Sequence, residues 1–189
     1  AEDAGLTVGC SVAADAPDKM MTAETTRRVL AVMGTVQNGV IEMSRDVEGL
    51  VGLSRNLGIV KTDESGVTFV FSSRSPVESQ LDASTDSLDA LAAVIGAKTV
   101  HYSRYPGWNY AQRSPLRNKY LKAAARVLGY EPKVTVIHAG LECGIIRSHL
   151  PKLDMISIGP DMKGIHTPDE ALSAASCERI WKIVGEMLK

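Results

Sequence analysis

Apolar residues alternate with small or polar ones most regularly in two neighbouring segments of the chain. The first alternating segment covers 51–59, and the second covers 67–71, after the turn sequence Glu64-Ser65-Gly66. A period of two residues is typical of a strand with one buried face. Two such segments joined by a turn predict an antiparallel β-hairpin.

Helical spacing flanks this hairpin on both sides. Thr22 is a suitable N-cap for a helix that ends at Gly34. Pro76 opens a second helix that reaches Ile95, and its buried stripe is predicted to contain Leu81, Leu88, Leu91, Ala92 and Ile95. A further strand is predicted over 98–102. Helix, two strands, helix and strand are most of a ferredoxin-like layer, whose first strand would come from sequence upstream.

The pattern changes at Tyr105-Pro106-Gly107-Trp108, where proline and glycine interrupt it. A helix is predicted over 114–128, where Ser114 and Pro115 suit its start. Short apolar segments predict strands at 133–137 and 153–158. A last helix covers 173–188, with an apolar face predicted to consist of Ile180, Trp181, Val184 and Leu188.

The predicted fold class is α/β, in two portions. Residues 1–105 form an α+β portion with the ferredoxin-like layer, and residues 106–189 form an α/β portion with parallel strands. Two strands are few for a sheet, so the second portion would also take partner strands from outside this chain. The absence of an initiator Met fits an origin inside a longer protein, and processing of the N-terminus would look the same.

Composition and charge exclude several classes of protein. Hydrophobic residues make up 44% of the 189 residues and charged residues 23%, which is typical of a globular domain. Lysine and arginine number 21 against 22 acidic residues, so no basic excess favours nucleic acid or an anionic membrane. Cys10, Cys143 and Cys177 form no CxxC pair, which favours free thiols in a reducing cytoplasm.

Two loops carry the candidate chemistry, because ligand sites in α/β sheets collect beyond the carboxyl ends of strands. The first is His138-Ala139-Gly140-Leu141-Glu142-Cys143-Gly144, and the second covers 159–170. Both contain glycines, which let the backbone approach a ligand closely. Both also contain a histidine and a carboxylate, which serve as zinc ligands or as acid–base groups.

Each of these side chains also has a structural interpretation. A single loop histidine such as His166 is more often hydrogen-bonded or solvated than metal-bound. Glu170 could complete a helix capping box with Thr167. Cys143 has no basic neighbour in sequence, so a structural thiol is favoured, and His138 is favoured as a core or loop-orienting residue.

At these two loops the sequence resembles the aminoacyl-histidine dipeptidases. His138–Gly144 is similar to their HAGLECG block. Residues 155–170 are similar to their block with the pattern SIGP…G-x-H-[ST]-P-[DN]-E. Three upstream features also resemble the family: Asn38-Gly39-Val40-Ile41, the hairpin that ends at Arg74, and Tyr105-Pro106-Gly107-Trp108.

The resemblance implies a zinc exopeptidase with two zinc ions in a catalytic domain, and a lid domain that closes over the substrate. It implies that His166 binds one zinc and that Arg74 binds the C-terminal carboxylate of the substrate. A guanidinium suits that task because it pairs with a carboxylate in a bidentate fork. Gly140 and Glu142 would line the substrate pocket, and Glu170 would lie at its edge.

The remaining zinc ligands of the family, and its general base, would lie in an N-terminal half outside this chain. No His-x-Asp or Glu-Glu pair occurs here, so we expect no catalytic residue in the chain. Zinc hydrolases use about three or four protein ligands per metal, so one histidine cannot hold two ions. We therefore expect the C-terminal portion of an Xaa-His dipeptidase that is inactive alone, within a cytoplasmic enzyme that forms a homodimer through its lid.

Two other functions stay open at this point. The chain could be a non-enzymatic ferredoxin-like module that dimerises through its edge strands or binds a small ligand. It could also be a cysteine hydrolase that uses Cys143 and His138.

Overall fold

A computed structural model describes residues 5–12, 14–15 and 18–189. The chain forms two compact units, Ala1–Val36 and Gln37–Lys189. The predicted boundary near residue 105 falls inside the second unit, and it stays a prediction.

The first unit contains helix α1, Ala23–Thr35. Its start was predicted correctly, since the Thr22 hydroxyl accepts a hydrogen bond from the Thr25 backbone N–H at 3.1 Å. The predicted end at Gly34 is wrong. The helix passes through Gly34 because this glycine does not take up the left-handed conformation that would end it.

The second unit begins with a three-stranded antiparallel sheet in the order β1-β2-β3. Its strands are β1 (Gly39–Met43), β2 (Val51–Asp63) and β3 (Gly66–Arg74). The predicted hairpin is confirmed, and Asp63 pairs with Gly66 across the turn. Strand β2 is longer than predicted, and a bulge between Leu57 and Ile59 interrupts its alternation. This bulge leaves Ile59 56% exposed, although the pattern predicted it to be buried.

Helix α2 (Glu78–Ile95) packs on one face of this sheet and ends at Gly96, which is left-handed. Its predicted stripe is confirmed, since Leu81 and Ala92 are buried and the other three apolar residues are partly buried. Arg55 of β2 is also buried under α2, which the alternating pattern did not predict. Its guanidinium donates to the backbone carbonyl and to the hydroxyl of Ser84, both at 2.7 Å.

The rest of the second unit contains α3 (Pro115–Leu128), α4 (Glu142–His149), β4 (Met162–Lys163), β5 (Ala171–Leu172) and α5 (Ala174–Met187). Helices α3 and α5 pack together around a core of Ala123, Ala124 and Ile183. The predicted face of α5 is partly wrong, because Trp181 is 79% exposed and Leu188 is 82% exposed. The buried stripe instead contains Ser176 and Ile183, seven residues apart and therefore on one face of the helix.

Three predicted strands, at 98–102, 133–137 and 153–158, are not strands in the structure. A strand needs a hydrogen-bonded neighbour, and no segment within 18–189 pairs with any of them. The third segment has another role, since Asp154 accepts hydrogen bonds from the Ser114 hydroxyl and the Leu116 N–H at the start of α3.

The mixture of helices and small sheets confirms the predicted α/β fold class. The parallel strands predicted for residues 106–189 are wrong for the strands described there, because β4 and β5 pair antiparallel. Of the helices described, none is long and apolar enough to cross a membrane.

Candidate functional site

The carboxyl end of β3 lies beside the loop 138–144. Arg74 is the last residue of β3 and is exposed. It pairs with Ser54 of β2, so the two side chains lie on the same face of the sheet. The Ser54 hydroxyl is 2.7 Å from Nε2 of His138, the first residue of the loop. The fold therefore brings together Arg74 and a loop that is far from it in sequence.

His138 is half-buried and held by two hydrogen bonds. Burial lowers the pKa of its imidazole, the positive charge of Arg74 lowers it further, and a hydrogen bond with the Val51 backbone partly opposes the shift. The ring is therefore neutral at neutral pH, with one contact to Ser54 and one to Val51. This environment suits the loop-orienting role favoured from the sequence.

Glycines allow three segments to pack tightly at this place. A Cβ on Gly140 would lie 2.8 Å from Cδ1 of Tyr105, so the loop backbone rests against the tyrosine ring. A Cβ on Gly144 would collide with the Pro106 carbonyl, and one on Gly107 with the Pro76 carbonyl. The segment 105–107 is thus enclosed between the end of β3 and the loop, at distances that only glycine permits.

The segment 104–107 is also tied to the first turn of α2. One carboxylate oxygen of Glu78 accepts from the Gly107 N–H at 2.6 Å, and the other accepts from Arg104 at 2.5 Å. The Arg104 hydrogen bond lowers the pKa of Glu78, and a second carboxylate, Asp82, pairs with Arg104 at 2.8 Å. These exposed ion pairs add little stability individually, but together they fix the path of the segment.

The far end of the loop is the start of α4. Glu142 is the first residue of this helix and is exposed, and Cys143 beside it is a half-buried free thiol. A carboxylate at this position is favoured by the helix dipole. Nε2 of His138 contacts Ser54, and among the described residues no hydrogen bond links His138 with the Cys143 thiol. This arrangement disfavours the cysteine hydrolase interpretation.

His166 lies in the loop of a short hairpin formed by β4 and β5. Its backbone is left-handed, with a φ of 66°, and its N–H donates to Oε2 of Glu170 at 2.8 Å. Thr167 donates from both its N–H and its hydroxyl to the Gly164 carbonyl. The capping-box interpretation of Glu170 is wrong, because no helix starts here and its carboxylate binds the His166 N–H instead.

A left-handed histidine is unusual. Ser103 is the only other non-glycine residue with a positive φ in the part of the chain that the structure describes. This conformation costs an L-residue about 1–2 kcal/mol, and such strain concentrates at functional sites. Residue spacing carries no information on φ, so the sequence could not reveal this feature.

The described residues do not form a metal site by themselves. Among them, no group of three or more His, Cys, Asp or Glu side chains could hold a metal ion. His166 is one donor, whereas zinc in proteins uses about three or four. Within 18–189, no hydrogen bond or ion pair links the His166 loop with Arg74 or with the loop 138–144. The predicted roles of Arg74, Gly140, Glu142, His166 and Glu170 stay predictions.

Comparisons with known proteins point to one enzyme class. No protein-family model matches the sequence. The chain is 34% identical over 169 residues to the cytosol non-specific dipeptidase of Escherichia coli strain K12, in a match that covers 89% of this chain and 35% of that protein. It also resembles the crystal structure of aminoacylhistidine dipeptidase from Vibrio alginolyticus, with a TM-score of 0.81 and 33% identity. That match covers 94% of this chain and 36% of the other.

A more distant structure shares the fold. Aminopeptidase PepT from Bacillus cereus ATCC 10987 matches with a TM-score of 0.65 and 18% identity, over 87% of this chain and 45% of that chain. The chain spans about a third of the length of the two dipeptidases. Over nearly all of its own length, the chain is thus similar in sequence and in fold to part of an aminoacyl-histidine dipeptidase, which confirms the resemblance predicted from its loops.

Proposed function

We propose that this chain is the C-terminal portion of a zinc-dependent dipeptidase that hydrolyses Xaa-His and related dipeptides. The observation that carries this proposal is the similarity to the Vibrio alginolyticus dipeptidase, at a TM-score of 0.81 and 33% identity. The fold also brings the exposed Arg74 close to the loop 138–144, which supports a binding site at this place. We call the longer protein, with this chain as its C-terminal part, the full-length protein.

Arg74 is proposed to bind the free carboxylate of the dipeptide. Its side chain is exposed at the end of β3, and among the described residues no acidic side chain pairs with it. Arg104 and Arg179 are also exposed arginines, but each forms an ion pair with an acidic residue of the chain. Arg74 is therefore available for a bidentate pair with a ligand carboxylate.

The loop 138–144 is proposed to line the substrate pocket beside Arg74. Gly140 has no side chain to block its backbone, which is held in place by the Tyr105 ring beneath it. Glu142 is exposed at the start of α4 and is proposed to face the substrate from the other end of the loop. Fixed backbone groups beside a carboxylate-binding arginine would orient a peptide before it reacts.

His166 is proposed to be one ligand of a site with two zinc ions. Its strained backbone, held by Glu170 at the edge of the site, supports a special role for this position. The remaining ligands and the general base would come from sequence outside this chain. We therefore propose that the 189 residues alone neither retain zinc nor hydrolyse dipeptides.

The proposed enzyme is a cytoplasmic homodimer with residues 1–105 as its lid portion and residues 106–189 as its catalytic portion. The name of the Escherichia coli relative, a cytosol dipeptidase, supports this location. Strands β1 and β3 are the two edges of the sheet, where a second copy could add strands. The same edges support a second candidate function, a non-enzymatic module that dimerises through its sheet.

Hydrolysis of glycyl-histidine, measured with and without added zinc, tests the proposal. The full-length protein should hydrolyse the dipeptide only with metal, and the purified 189-residue chain should not hydrolyse it at all. Zinc-dependent hydrolysis by the chain alone would disprove its inactivity. A folded, zinc-loaded full-length protein that cleaves no dipeptide would favour the dimerisation module. Cys143→Ser is the control, and full activity in this variant argues against a thiol nucleophile.

A further inference from the structure

The sheet presents two faces with different partners. Arg55 of β2 points under α2, where its guanidinium donates to Ser84. Because successive side chains in a strand point to opposite faces, the preceding residue, Ser54, points away from α2. Its ladder partner Arg74 lies on that same face. Ser54 is therefore the direct neighbour of the residue that we propose to bind the substrate carboxylate.

His138 approaches this face from the loop. Its Nε2 lies 2.7 Å from the Ser54 hydroxyl, and its ring also hydrogen-bonds the Val51 backbone in the same strand. A neutral imidazole has one donor nitrogen and one acceptor nitrogen, so Nε2 can either donate to the Ser54 hydroxyl or accept from it. Burial and the charge of Arg74 lower the pKa of His138, which keeps the ring in this neutral form. The side chain therefore connects the first residue of the loop with strand β2.

The loop is held at a second point by packing. Gly140 rests on the ring of Tyr105, and Gly107 in the same segment packs against the Pro76 carbonyl. Pro76 is two residues beyond Arg74 in sequence. Two independent contacts thus connect the loop with the end of β3, where Arg74 lies. One is the hydrogen bond of His138 to the sheet. The other is the packing of Gly140 on the segment 105–107, which itself packs against Pro76.

We propose that His138 and Ser54 are a positioning pair whose hydrogen bond sets the separation between the Arg74 guanidinium and the Gly140 backbone. This inference rests on the proposed function, and it adds a determinant of substrate length. One extra residue lengthens an extended peptide by about 3.3–3.6 Å. In a site that holds the carboxylate at Arg74 and the peptide backbone at Gly140, the separation of these two groups would therefore select the length of the peptide.

Nuclear magnetic resonance on the 189-residue chain tests the pair directly. Ser54→Ala should shift the His138 ring nitrogen signals and move the backbone amide signals of Gly140 and Arg74. Ser54→Thr keeps the hydroxyl and should preserve all of these signals. Ser72→Ala is a matched control, because Ser72 is exposed on the same strand face as Arg74 and has no contact with His138. If Ser54→Ala leaves Gly140 and Arg74 unmoved, the inference is overturned.

Kinetics of the full-length protein test the effect on substrate length. Ser54→Ala should raise KM for glycyl-histidine by about tenfold with little change in kcat, since misplaced binding groups weaken a substrate's fit. The preference for glycyl-histidine over glycyl-glycyl-histidine should fall by a similar factor. Ser54→Thr should keep both the KM for glycyl-histidine and the preference over the tripeptide at their wild-type values. An unchanged preference in a folded Ser54→Ala variant would overturn the inference.

The two proposals fail in different ways. A folded, zinc-loaded wild-type protein that cleaves neither peptide would refute the proposed function. The resonance shifts of Arg74 and Gly140 in the chain would still decide whether the Ser54–His138 bond positions them.

Discussion

Replacement of His166 by glycine should stabilise the chain relative to replacement by alanine. His166 has a φ of 66°, a conformation that costs residues with a Cβ about 1–2 kcal/mol and costs glycine almost nothing. Glu170 binds the backbone N–H of His166, so both variants keep this hydrogen bond. The side chain is exposed, and its removal therefore sacrifices little packing.

Two terms set the expected magnitude. Relief of the left-handed strain favours glycine over alanine by about 1–2 kcal/mol. The greater flexibility of glycine in the unfolded chain offsets roughly 0.4–1 kcal/mol of this gain. The free energy of unfolding should thus be about 1 kcal/mol greater for His166→Gly than for His166→Ala, or about 2–4 °C in melting temperature for a chain of this size.

Urea unfolding of the two variants, followed by circular dichroism, measures this difference. Lys122→Gly and Lys122→Ala are the control pair, because Lys122 is exposed in the interior of α3. At this helical position the free energy of unfolding should be about 1 kcal/mol smaller for Lys122→Gly than for Lys122→Ala. If His166→Ala had a greater free energy of unfolding than His166→Gly, the backbone at residue 166 would not be strained in solution. The strain could then no longer support a functional role for His166.

Three further results are expected. In the full-length protein, Arg74→Ala should raise KM for glycyl-histidine about 10- to 100-fold and leave the zinc content unchanged. His166→Ala should mainly lower the zinc content and kcat. Equal loss of zinc in the two variants would contradict these roles. Folding lowers the pKa of His138 from 6.5. The free energy of unfolding should therefore be greatest above about pH 6.5 and should decrease as the pH falls toward the pKa of the folded state. His138→Gln should flatten that dependence in pH-dependent unfolding, and an unchanged profile would show that other groups cause it. Gly140→Ala should lower the melting temperature through collision with Tyr105, and Tyr105→Ala should rescue it; additive losses in the double variant would contradict direct contact.

Local physics explains which elements the sequence could predict. The hairpin depends on alternation and a turn, and the starts of α1 and α3 depend on capping hydroxyls at Thr22 and Ser114, all of which are encoded by neighbouring residues. Strand β1 was missed because it has only five residues and two register irregularities against β2. The three segments predicted as strands failed for a different reason. Their apolar residues predict burial, but Val100 and Ile137 are exposed in the structure, because pairing and burial depend on a partner elsewhere.

The candidate site was predictable in its residue types and unpredictable in its geometry. The loops 138–144 and 159–170 stood out by their glycines, histidines and acids, and the resemblance to the dipeptidases is confirmed. Nothing near Ser54 in sequence indicates that it meets a histidine 84 residues away. The Arg55 network and the backbone strain at His166 also arise from tertiary packing, so they appear only in the folded chain.

The central claim is that Arg74 binds the free carboxylate of a dipeptide substrate. Its most direct test compares the hydrolysis of glycyl-histidine with that of glycyl-histidine amide by the zinc-loaded full-length protein. The amide lacks only the carboxylate that Arg74 is proposed to bind. We predict that the free acid is cleaved at least about tenfold more efficiently, and that Arg74→Ala removes this preference. Equal cleavage of both substrates by the wild-type protein, or a preference that persists in Arg74→Ala, would contradict the account.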